Sequence, residues 1–236
     1  MELAEHGTAT DGTPLLLDRR LFVQLLVFTG CLDTQPLIAA LTGANLTGAL
    51  YEDVSDPRGV GLVTLSEDPA AFIEQVRPVV NRPPFAALAP RLELSMLGRT
   101  YSLGHETDLE DVLLRRPLER VQNPAWPWAV WYPIKRSGTF EQLSAEEQRA
   151  ILMEHGGVGR AFARSGHAHD VRLSCHGLDG NDADFITGLF AEQLHPLSAI
   201  VQRMRKTQQT ARYLDRLGPF FVGRTRWQSS HAPPTA

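Results

Sequence analysis

Hydrophobic and polar positions divide this chain into alternating strand-type and helix-type segments. In the helix-type segments apolar residues recur about every three to four positions, and these segments are 35–41, 69–80, 144–162 and 196–214. The strand-type segments are rich in β-branched and aromatic residues and are 21–28, 60–65, 92–101, 130–134, 171–178, 183–190 and 219–227. Residues 106–120 are predicted to form a charged connector.

Local signals support several of these elements. Ser144 followed by Glu147 is the signature of a capping box at the start of a helix. A proline at position 196 suits the first turn of the next long helix. The turn sequence Asp179-Gly180-Asn181-Asp182 predicts that the strands 171–178 and 183–190 form a hairpin.

The second half of the chain repeats the first. Gly98-Arg99-Thr100 recurs as Gly223-Arg224-Thr225, a lag of 125 residues. Further matches at this lag are Glu67 with Glu192, Phe72 with Leu197, Val76 with Val201, Val79 with Met204, and Met96 with Phe221. We therefore predict an α+β fold of two ferredoxin-like repeats with antiparallel sheets. The predicted boundaries are a tail over 1–18, an N-terminal half over 19–122, a C-terminal half over 123–228 and a tail over 229–236.

Composition and charge restrict the class of partner. Lys and Arg number 23 against 27 Asp and Glu, for a formal net charge of −4 over 236 residues. This balance lacks the basic surface that nucleic acids or anionic membranes require. No apolar stretch approaches the roughly 18 residues of a transmembrane helix, and residues 1–18 show no secretory-signal pattern. We expect no nucleic-acid partner, no membrane span and a cytoplasmic location.

One helix face in the second half contains a histidine among apolar residues. The residues at helical spacing on this face are Ile151, His155, Val158 and Phe162. Three glycines accompany the histidine, Gly156, Gly157 and Gly159, although glycine costs roughly 0.5–1 kcal/mol relative to alanine inside a helix. Two interpretations remain open. His155 is either an axial ligand to a planar macrocycle that approaches the glycines, or a core histidine hydrogen-bonded to a neighbour, with the glycines ending the helix.

Four motifs of the second half carry a family resemblance. They are Trp131-Tyr-Pro-Ile-Lys-Arg136, Glu154-His155-Gly156, Gly177-Leu178-Asp179 and Leu217-Gly-Pro-Phe-Phe-Val-Gly223. Over residues 130–227 they resemble the chlorite dismutase family, and within it the coproheme decarboxylase branch. The resemblance implies a dimeric α+β barrel with helices outside, assembled as a homopentamer. It also implies heme b or coproheme bound in the C-terminal half and no cofactor in the N-terminal half.

The resemblance also assigns roles to individual residues. His155 aligns with the proximal iron ligand, next to Gly156, and Tyr132 stands where the decarboxylase branch has its reactive tyrosine. Arg136 and Arg212 align with residues that bind propionates, and a planar guanidinium suits a carboxylate. The alternatives from the residues alone are a strand aromatic packed in the sheet for Tyr132 and solvated surface positions for the two arginines.

Two departures from the family pattern concern the surroundings of the iron. The family's distal arginine falls on Asp170, and Arg172 is the candidate if a bulge shifts the strand; otherwise Arg172 is a cross-strand or surface charge. On the proximal side the family often has a glutamate that hydrogen-bonds the ligand histidine, and the alignment puts Gln208 there. A neutral amide cannot increase the basicity of the histidine as a carboxylate does. We therefore expect weaker activation of peroxide.

Together these observations predict a heme-dependent oxidoreductase. Its expected reaction is peroxide-dependent decarboxylation of coproheme propionates through a tyrosyl radical on Tyr132, with a porphyrin and hydrogen peroxide as small-molecule partners. One alternative is another heme-dependent peroxidase or a chlorite dismutase that uses His155 without tyrosyl chemistry. The other is a heme-binding or sensor protein that is not an enzyme.

Overall fold

The N-terminal half forms a four-stranded sheet covered by short helices, in a computed structural model that describes residues 2–229. A separate hairpin comes first, β1 (Glu5–Thr8) with β2 (Pro14–Leu17). The elements that follow are β3 (Phe22–Thr29), α1 (Gln35–Thr42), β4 (Gly48–Asp53), β5 (Val60–Ser66), α2 (Arg77–Val80), β6 (Ala89–Pro90), β7 (Met96–Thr100) and α3 (Arg116–Gln122). Single π-helical segments, Phe72–Val76 and Asp111–Arg115, directly precede α2 and α3.

The C-terminal half has the same sequence of elements with longer helices. They are β8 (Trp128–Arg136), α4 (Gly138–Glu141), α5 (Ala145–Arg164), β9 (His169–Ser174), β10 (Phe185–Ala191), α6 (Leu194–Met204), α7 (Gln208–Arg212), β11 (Leu214–Leu217) and β12 (Phe221–Gln228). The strands β10 and β12 start 125 residues after β5 and β7 respectively, which is the lag found in the sequence. Among the described residues, no helix has the length and hydropathy needed to cross a bilayer.

The strand order identifies each half as a ferredoxin-like sheet. In the N-terminal half the order is β7-β3-β5-β4, and in the C-terminal half it is β12-β8-β10-β9. With the main strands of each half numbered along the chain, both orders read 4-1-3-2. All the pairings are antiparallel. The predicted α+β fold class with two ferredoxin-like repeats is confirmed.

Pairing between the halves closes the sheet. The strand β4 pairs with β12, and β7 pairs with β9, so the ladder returns to its starting strand after eight strands. The interior of this ring is a single apolar cluster that includes Val23, Tyr51, Trp131, Leu173 and Phe221. Inside the ring Gly188 faces Trp131, and a Cβ at Gly188 would lie 2.7 Å from the indole ring, so only glycine fits there.

Two further apolar clusters lie on the outer faces of the sheet, one under the helices of each half. The cluster of the C-terminal half joins the strand residues Val130, Tyr132 and Leu189 to Phe162 of α5 and Leu197 of α6. Strand residues therefore alternate between the interior of the ring and the helix layer. This alternation puts Trp131 inside the ring and Tyr132 in the helix layer.

The first long helix of the C-terminal half begins as predicted. Ser144 accepts a hydrogen bond from the backbone N of Glu147, and the Glu147 carboxylate accepts one from the backbone N of Ser144 at 2.9 Å. Both bonds of the capping box are present, which fixes the first turn of α5. The helix continues to Arg164, beyond the three glycines, so the interpretation that the glycines end the helix is wrong.

Several parts of the chain differ from the sequence prediction. The strand β4 was not predicted, because it is buried on both faces and lacks a polar–apolar alternation. The predicted connector 106–120 is largely helical, since Leu113 and Val121 bury one side of it in the ring cluster. The predicted hairpin turn is longer than four residues: β9 ends at Ser174 and β10 begins at Phe185.

The predicted helix over 196–214 is interrupted. It ends at Met204, a new helix starts at Gln208, and β11 begins at Leu214. The interruption changes which side chains face inward: Thr207 and Gln209 are buried, whereas Gln208 is exposed.

Candidate functional site

His155 lies on α5 and contacts the segment between α6 and α7. Its Nδ1 is 3.0 Å from Oγ1 of Thr207. The Thr207 hydroxyl donates its only proton to the carbonyl oxygen of Met204, 2.7 Å away, so it accepts from His155. The imidazole therefore carries its proton on Nδ1 and keeps a lone pair on Nε2. Nε2 has no hydrogen-bond partner within residues 2–229.

The surroundings of His155 keep the imidazole neutral. Burial lowers its pKa to about 4, and the nearby guanidinium of Arg136 acts in the same direction. Arg172 lowers the pKa further, while Glu154 and Asp170 oppose the shift. A neutral imidazole with an unpaired Nε2 at neutral pH is the form that binds a metal.

This burial predicts a pH-dependent loss of stability in the protein without a bound cofactor. The folded pKa is about 4, and the ordinary value is 6.5. Below pH 6.5 the unfolded chain binds a proton that the folded chain does not bind until about pH 4. The free energy of unfolding is therefore expected to fall by up to about 2 kcal/mol between pH 7 and pH 5 from this group. Chemical denaturation of wild type and His155→Gln measures this, and equal slopes against pH would contradict it.

The three glycines leave part of the surface of α5 uncovered by the protein. A Cβ on Gly156 would meet only the mobile end of Arg160, at 3.2 Å, and one on Gly157 would meet Arg160 at 4.0 Å. A Cβ on Gly159 would be in ordinary contact with Met204, 3.5 Å away. Packing within the described chain therefore does not account for glycine at 156 and 157. These two glycines directly follow His155 and lie on other sides of α5, whereas Gly159, one turn after His155, is the one that packs against Met204.

Tyr132 belongs to a row of side chains that crosses the sheet. The Cα partner of Tyr132 on β10 is Thr187, and the partner of Thr187 on β9 is Arg172. The β7–β9 register pairs Thr100 with Leu173, which puts Tyr101 at the level of Arg172. With strands about 4.8 Å apart, the row extends roughly 14 Å from Tyr132 to Tyr101. Two phenols and a guanidinium therefore share the face that the C-terminal helices cover.

The Tyr132 phenol is buried and polar contacts hold it. Only 5% of the residue is exposed, its ring is 4.8 Å from the ring of Phe220, and the Thr187 hydroxyl hydrogen-bonds its oxygen. Burial raises the pKa of Tyr132 above its usual range, so the phenol keeps its proton at physiological pH. Tyr132 is therefore a packed strand aromatic that also presents an O–H group to its neighbours.

Arg136, the last residue of β8, extends the site to the end of that strand. Its guanidinium lies over the ring of Phe185 at 4.3 Å and over the ring of Phe140 at 4.7 Å. The Nε atom is buried and has no hydrogen-bond partner among the described residues. Burial lowers the pKa of Arg136, which is the electrostatic cost of a partly desolvated cation. An unsatisfied donor in this position is ready to bind a carboxylate.

The strand β9 is regular where the sequence left its register open. Pairing with β10 runs without a bulge from His169 to Ser174. Val171 and Leu173 point into the ring, and Arg172 and Asp170 are on the opposite face, which is the Tyr132 face. The bulge that would bring Arg172 into the family's distal position is absent; Arg172 lies on the Tyr132 face in an ion pair with Asp170, and its distal role stays a prediction.

The other residues proposed from the sequence are less central. Gln208 is exposed, and only its backbone N is engaged, 3.1 Å from the Glu154 carboxylate. The expectation that Gln208 is the inward polar partner of the histidine is wrong, because the break between α6 and α7 gives that contact to Thr207. Arg212 is exposed at the end of α7. Its role remains a prediction.

Sequence reasoning missed Thr207, Thr187 and Tyr101. Thr207 directly precedes the predicted Gln208, and its place depends on where α6 ends. Thr187 and Tyr101 enter the site through strand pairing, and Tyr101 comes from the N-terminal half. Tyr101 follows the Gly98-Arg99-Thr100 tripeptide of the internal repeat, but nothing local marks it as a site residue. Within the described residues, no three or more His, Cys, Asp or Glu side chains form a metal-binding group.

Comparison with known sequences points to one family. The family model described as chlorite dismutase matches residues 115–226, just under half of the chain. The coproheme decarboxylase of Staphylococcus carnosus is 34% identical over 104 residues, which are 42% of this chain and 40% of that protein. The coproheme decarboxylase of Oceanobacillus iheyensis is 31% identical over the same length and the same shares. The match thus spans well under half the length of these curated relatives.

Comparison with solved structures covers most of the chain. A heme-binding protein from Thermus thermophilus gives a TM-score of 0.69 at 20% identity, over 89% of this chain and 92% of that one. A variant of the chlorite dismutase from Candidatus Nitrospira defluvii, in complex with cyanide, gives 0.67 at 17% identity, over 88% and 91%. These likenesses show a shared fold. The chain therefore matches the chlorite dismutase family model over residues 115–226, shares the fold of solved chlorite dismutase structures over most of its length, and is similar in part of its sequence to coproheme decarboxylases.

Proposed function

We propose that this protein binds coproheme or heme b through Nε2 of His155 and catalyses peroxide-dependent decarboxylation of coproheme propionates. The observation that carries the proposal is the His155–Thr207 contact. It leaves a neutral imidazole with an unpaired Nε2 in the helix layer that also contains Tyr132. The similarity to coproheme decarboxylases supports the choice of substrate.

The residues present fit an iron porphyrin. A single imidazole is enough protein ligand when the macrocycle supplies the other nitrogens. The unpaired Nε of Arg136 suits a propionate. His155 would hold the iron, Thr207 would orient the ring of His155, and Arg136 would bind a carboxylate.

Thr207→Val tests the orienting role of Thr207. Valine has nearly the shape of threonine but cannot accept the proton on Nδ1 of His155. Loss of such an outer contact typically reduces metal affinity by about 10–100-fold, and a spectrophotometric heme titration measures this loss. Thr42→Val is the matched control, because the Thr42 hydroxyl on α1 also donates to a backbone carbonyl, that of Ile38, and lies in the other half of the chain; it should change little. Identical affinities for wild type, Thr207→Val and His155→Ala would show that the iron is bound elsewhere.

In this proposal Tyr132 transfers the oxidation to the substrate. When bound, an iron porphyrin supplies the two oxidising equivalents that it takes from one molecule of peroxide. Tyr132 gives up a proton and an electron from its hydroxyl, and the tyrosyl radical then takes a hydrogen atom from the propionate. The carbon radical left by this C–H cleavage would give its remaining electron to the second oxidising equivalent; the bond to the carboxyl group then breaks, carbon dioxide leaves, and the side chain becomes a vinyl group. Overall, one propionic acid side chain and one hydrogen peroxide become one vinyl group, one carbon dioxide and two waters.

The neighbours of Tyr132 favour hydrogen-atom transfer over proton loss alone. Burial raises the pKa of Tyr132, and the Thr187 hydroxyl holds its oxygen, so the phenol stays protonated until it is oxidised. Arg172, one strand beyond Thr187, would bring a positive charge to the same face, where it would attract an anionic oxidant or carboxylate.

The direct test is a single-turnover reaction. The purified protein is loaded with ferric coproheme, hydrogen peroxide is added in steps, and the porphyrin products are followed by mass spectrometry. We expect successive products with one and then two propionates converted to vinyl groups, and carbon dioxide in equal amount. Bleaching of the macrocycle without any vinyl product, in the presence of a normal heme absorption band, would contradict the proposal.

Binding of heme without turnover is the second candidate. Thr207 favours it, because a neutral hydroxyl does not raise the basicity of His155 as a carboxylate would. If the protein only binds heme, we expect stable heme binding and slow activation of peroxide. A peroxidase or chlorite-converting activity would use the same His155 and would not need Tyr132. Assembly as a homopentamer and a cytoplasmic location complete the proposal.

A further inference from the structure

Arg172 is connected to the N-terminal half through two ion pairs that share Asp170. Its Nε lies 3.3 Å from Oδ2 of Asp170, two residues earlier on the same strand. The other carboxylate oxygen, Oδ1 of Asp170, lies 3.4 Å from Nη1 of Arg120. Nη1 of Arg120 also donates to the backbone carbonyl oxygen of Asp170. Asp170 thus uses one carboxylate oxygen for each arginine.

Of these three residues, Arg120 is the one held most firmly by the protein. It lies on α3, and its side chain is 16% exposed, against 30% for Asp170 and 43% for Arg172. Its contact with a backbone carbonyl ties it to β9 itself. Since Arg120 is the least exposed of the three, it has the least freedom to move; it restrains Asp170, which in turn contacts Arg172.

The direction in which the Arg172 guanidinium points depends on its contact with Asp170. Glu106 is the other carboxylate that acts on Arg172, and it comes from the segment after β7, on the opposite side from Tyr132. Because Asp170 contacts Nε, the two terminal nitrogens of the guanidinium remain available for a ligand. Without Asp170 a guanidinium that is nearly half exposed would sample several rotamers.

We propose that Arg120 is a positioning residue, which acts through Asp170 to fix the direction of the Arg172 guanidinium on the face shared with Tyr132. The N-terminal half thereby contributes to the site of the C-terminal half without contacting a ligand. What Arg172 would then bind, a small anionic oxidant or a carboxylate, rests on the proposed function. The fixed direction of the Arg172 guanidinium does not rest on the proposed function, because it is a property of the protein without cofactor.

The first test measures the exposure of Arg172 in the cofactor-free protein. Phenylglyoxal modifies accessible guanidinium groups, and peptide mass spectrometry gives the rate at each arginine. In Arg120→Met and in Asp170→Asn the labelling of Arg172 is expected to rise about threefold to fivefold, the effect of losing one partly exposed ion pair. Arg120→Lys keeps the charge and is expected to restore most of the protection. Labelling of the exposed Arg224, on β12, should stay unchanged in all of them.

The second test separates positioning from a general effect on folding. In heme-loaded protein, the dissociation constant of cyanide is measured for Arg120→Met, Arg172→Met and the double variant. Arg120→Met is expected to weaken binding about threefold in the wild-type background and to have no further effect when Arg172 is already replaced. Equal effects in both backgrounds, or unchanged labelling of Arg172 in Arg120→Met, would overturn the proposal. A protein that takes up no heme would refute the proposed function, and the labelling would still decide the role of Arg120.

Discussion

Tyr132→Phe is expected to abolish decarboxylation of coproheme while leaving the binding of coproheme intact. The substitution removes one oxygen atom from a side chain that is 5% exposed, and the ring keeps its contact with Phe220. A group that exchanges a proton in the reaction contributes on the order of 10²–10⁴ in rate, so a loss of at least about 100-fold is expected. Mass spectrometry of the porphyrin after addition of peroxide measures the loss, and the absorption spectrum before addition measures binding.

Tyr51→Phe is the matched control for this experiment. Tyr51 is fully buried and packs edge-on against Phe221, but it lies inside the ring, on the other side of the sheet from Tyr132. Removal of its hydroxyl should leave the reaction unchanged. If Tyr132→Phe retains the wild-type rate of vinyl formation, the hydrogen-atom transfer from Tyr132 is refuted, and a peroxidase-type role of His155 becomes the better hypothesis.

His155→Ala is expected to eliminate specific heme binding. The imidazole of His155 is neutral at physiological pH, and its Nε2 has no hydrogen-bond partner among residues 2–229, so its removal takes away the proposed ligand atom. In a spectrophotometric titration the wild type should give a sharp Soret band at one heme per chain. The variant should give only the broad band of weakly associated heme, with an affinity lower by about 100-fold or more. A sharp band of unchanged affinity in the variant would refute the assignment of His155 as the iron ligand.

The sequence predicts those features that depend on short-range pattern. Ser144 and Glu147 locate the start of α5 because both hydrogen bonds of a capping box form within one turn. The lag between Met96 and Phe221 identifies the repeat, and these residues begin β7 and β12. The alternation along 170–175 correctly separates Arg172 from Val171 and Leu173, since it follows from strand geometry alone.

Features that depend on long-range pairing are not predictable in this way. The row from Tyr132 to Tyr101 exists only because four strands from both halves pair in one register. The partner of His155 was misassigned by one residue, because no proline or glycine marks the end of α6 before Thr207. The strand β4 was missed because both of its faces are buried, which removes the periodic signal.

The closed strand ladder has a consequence for shortened forms of the protein. The similarity to known families begins near residue 115, yet β9 and β12 find their outer partners in β7 and β4, which lie before that point. A gene truncated to the similar region would encode a sheet with two bare edges, and such edges favour aggregation. Any shortened form of the protein must therefore keep β4 and β7, or cover the exposed edges of β9 and β12 in another way.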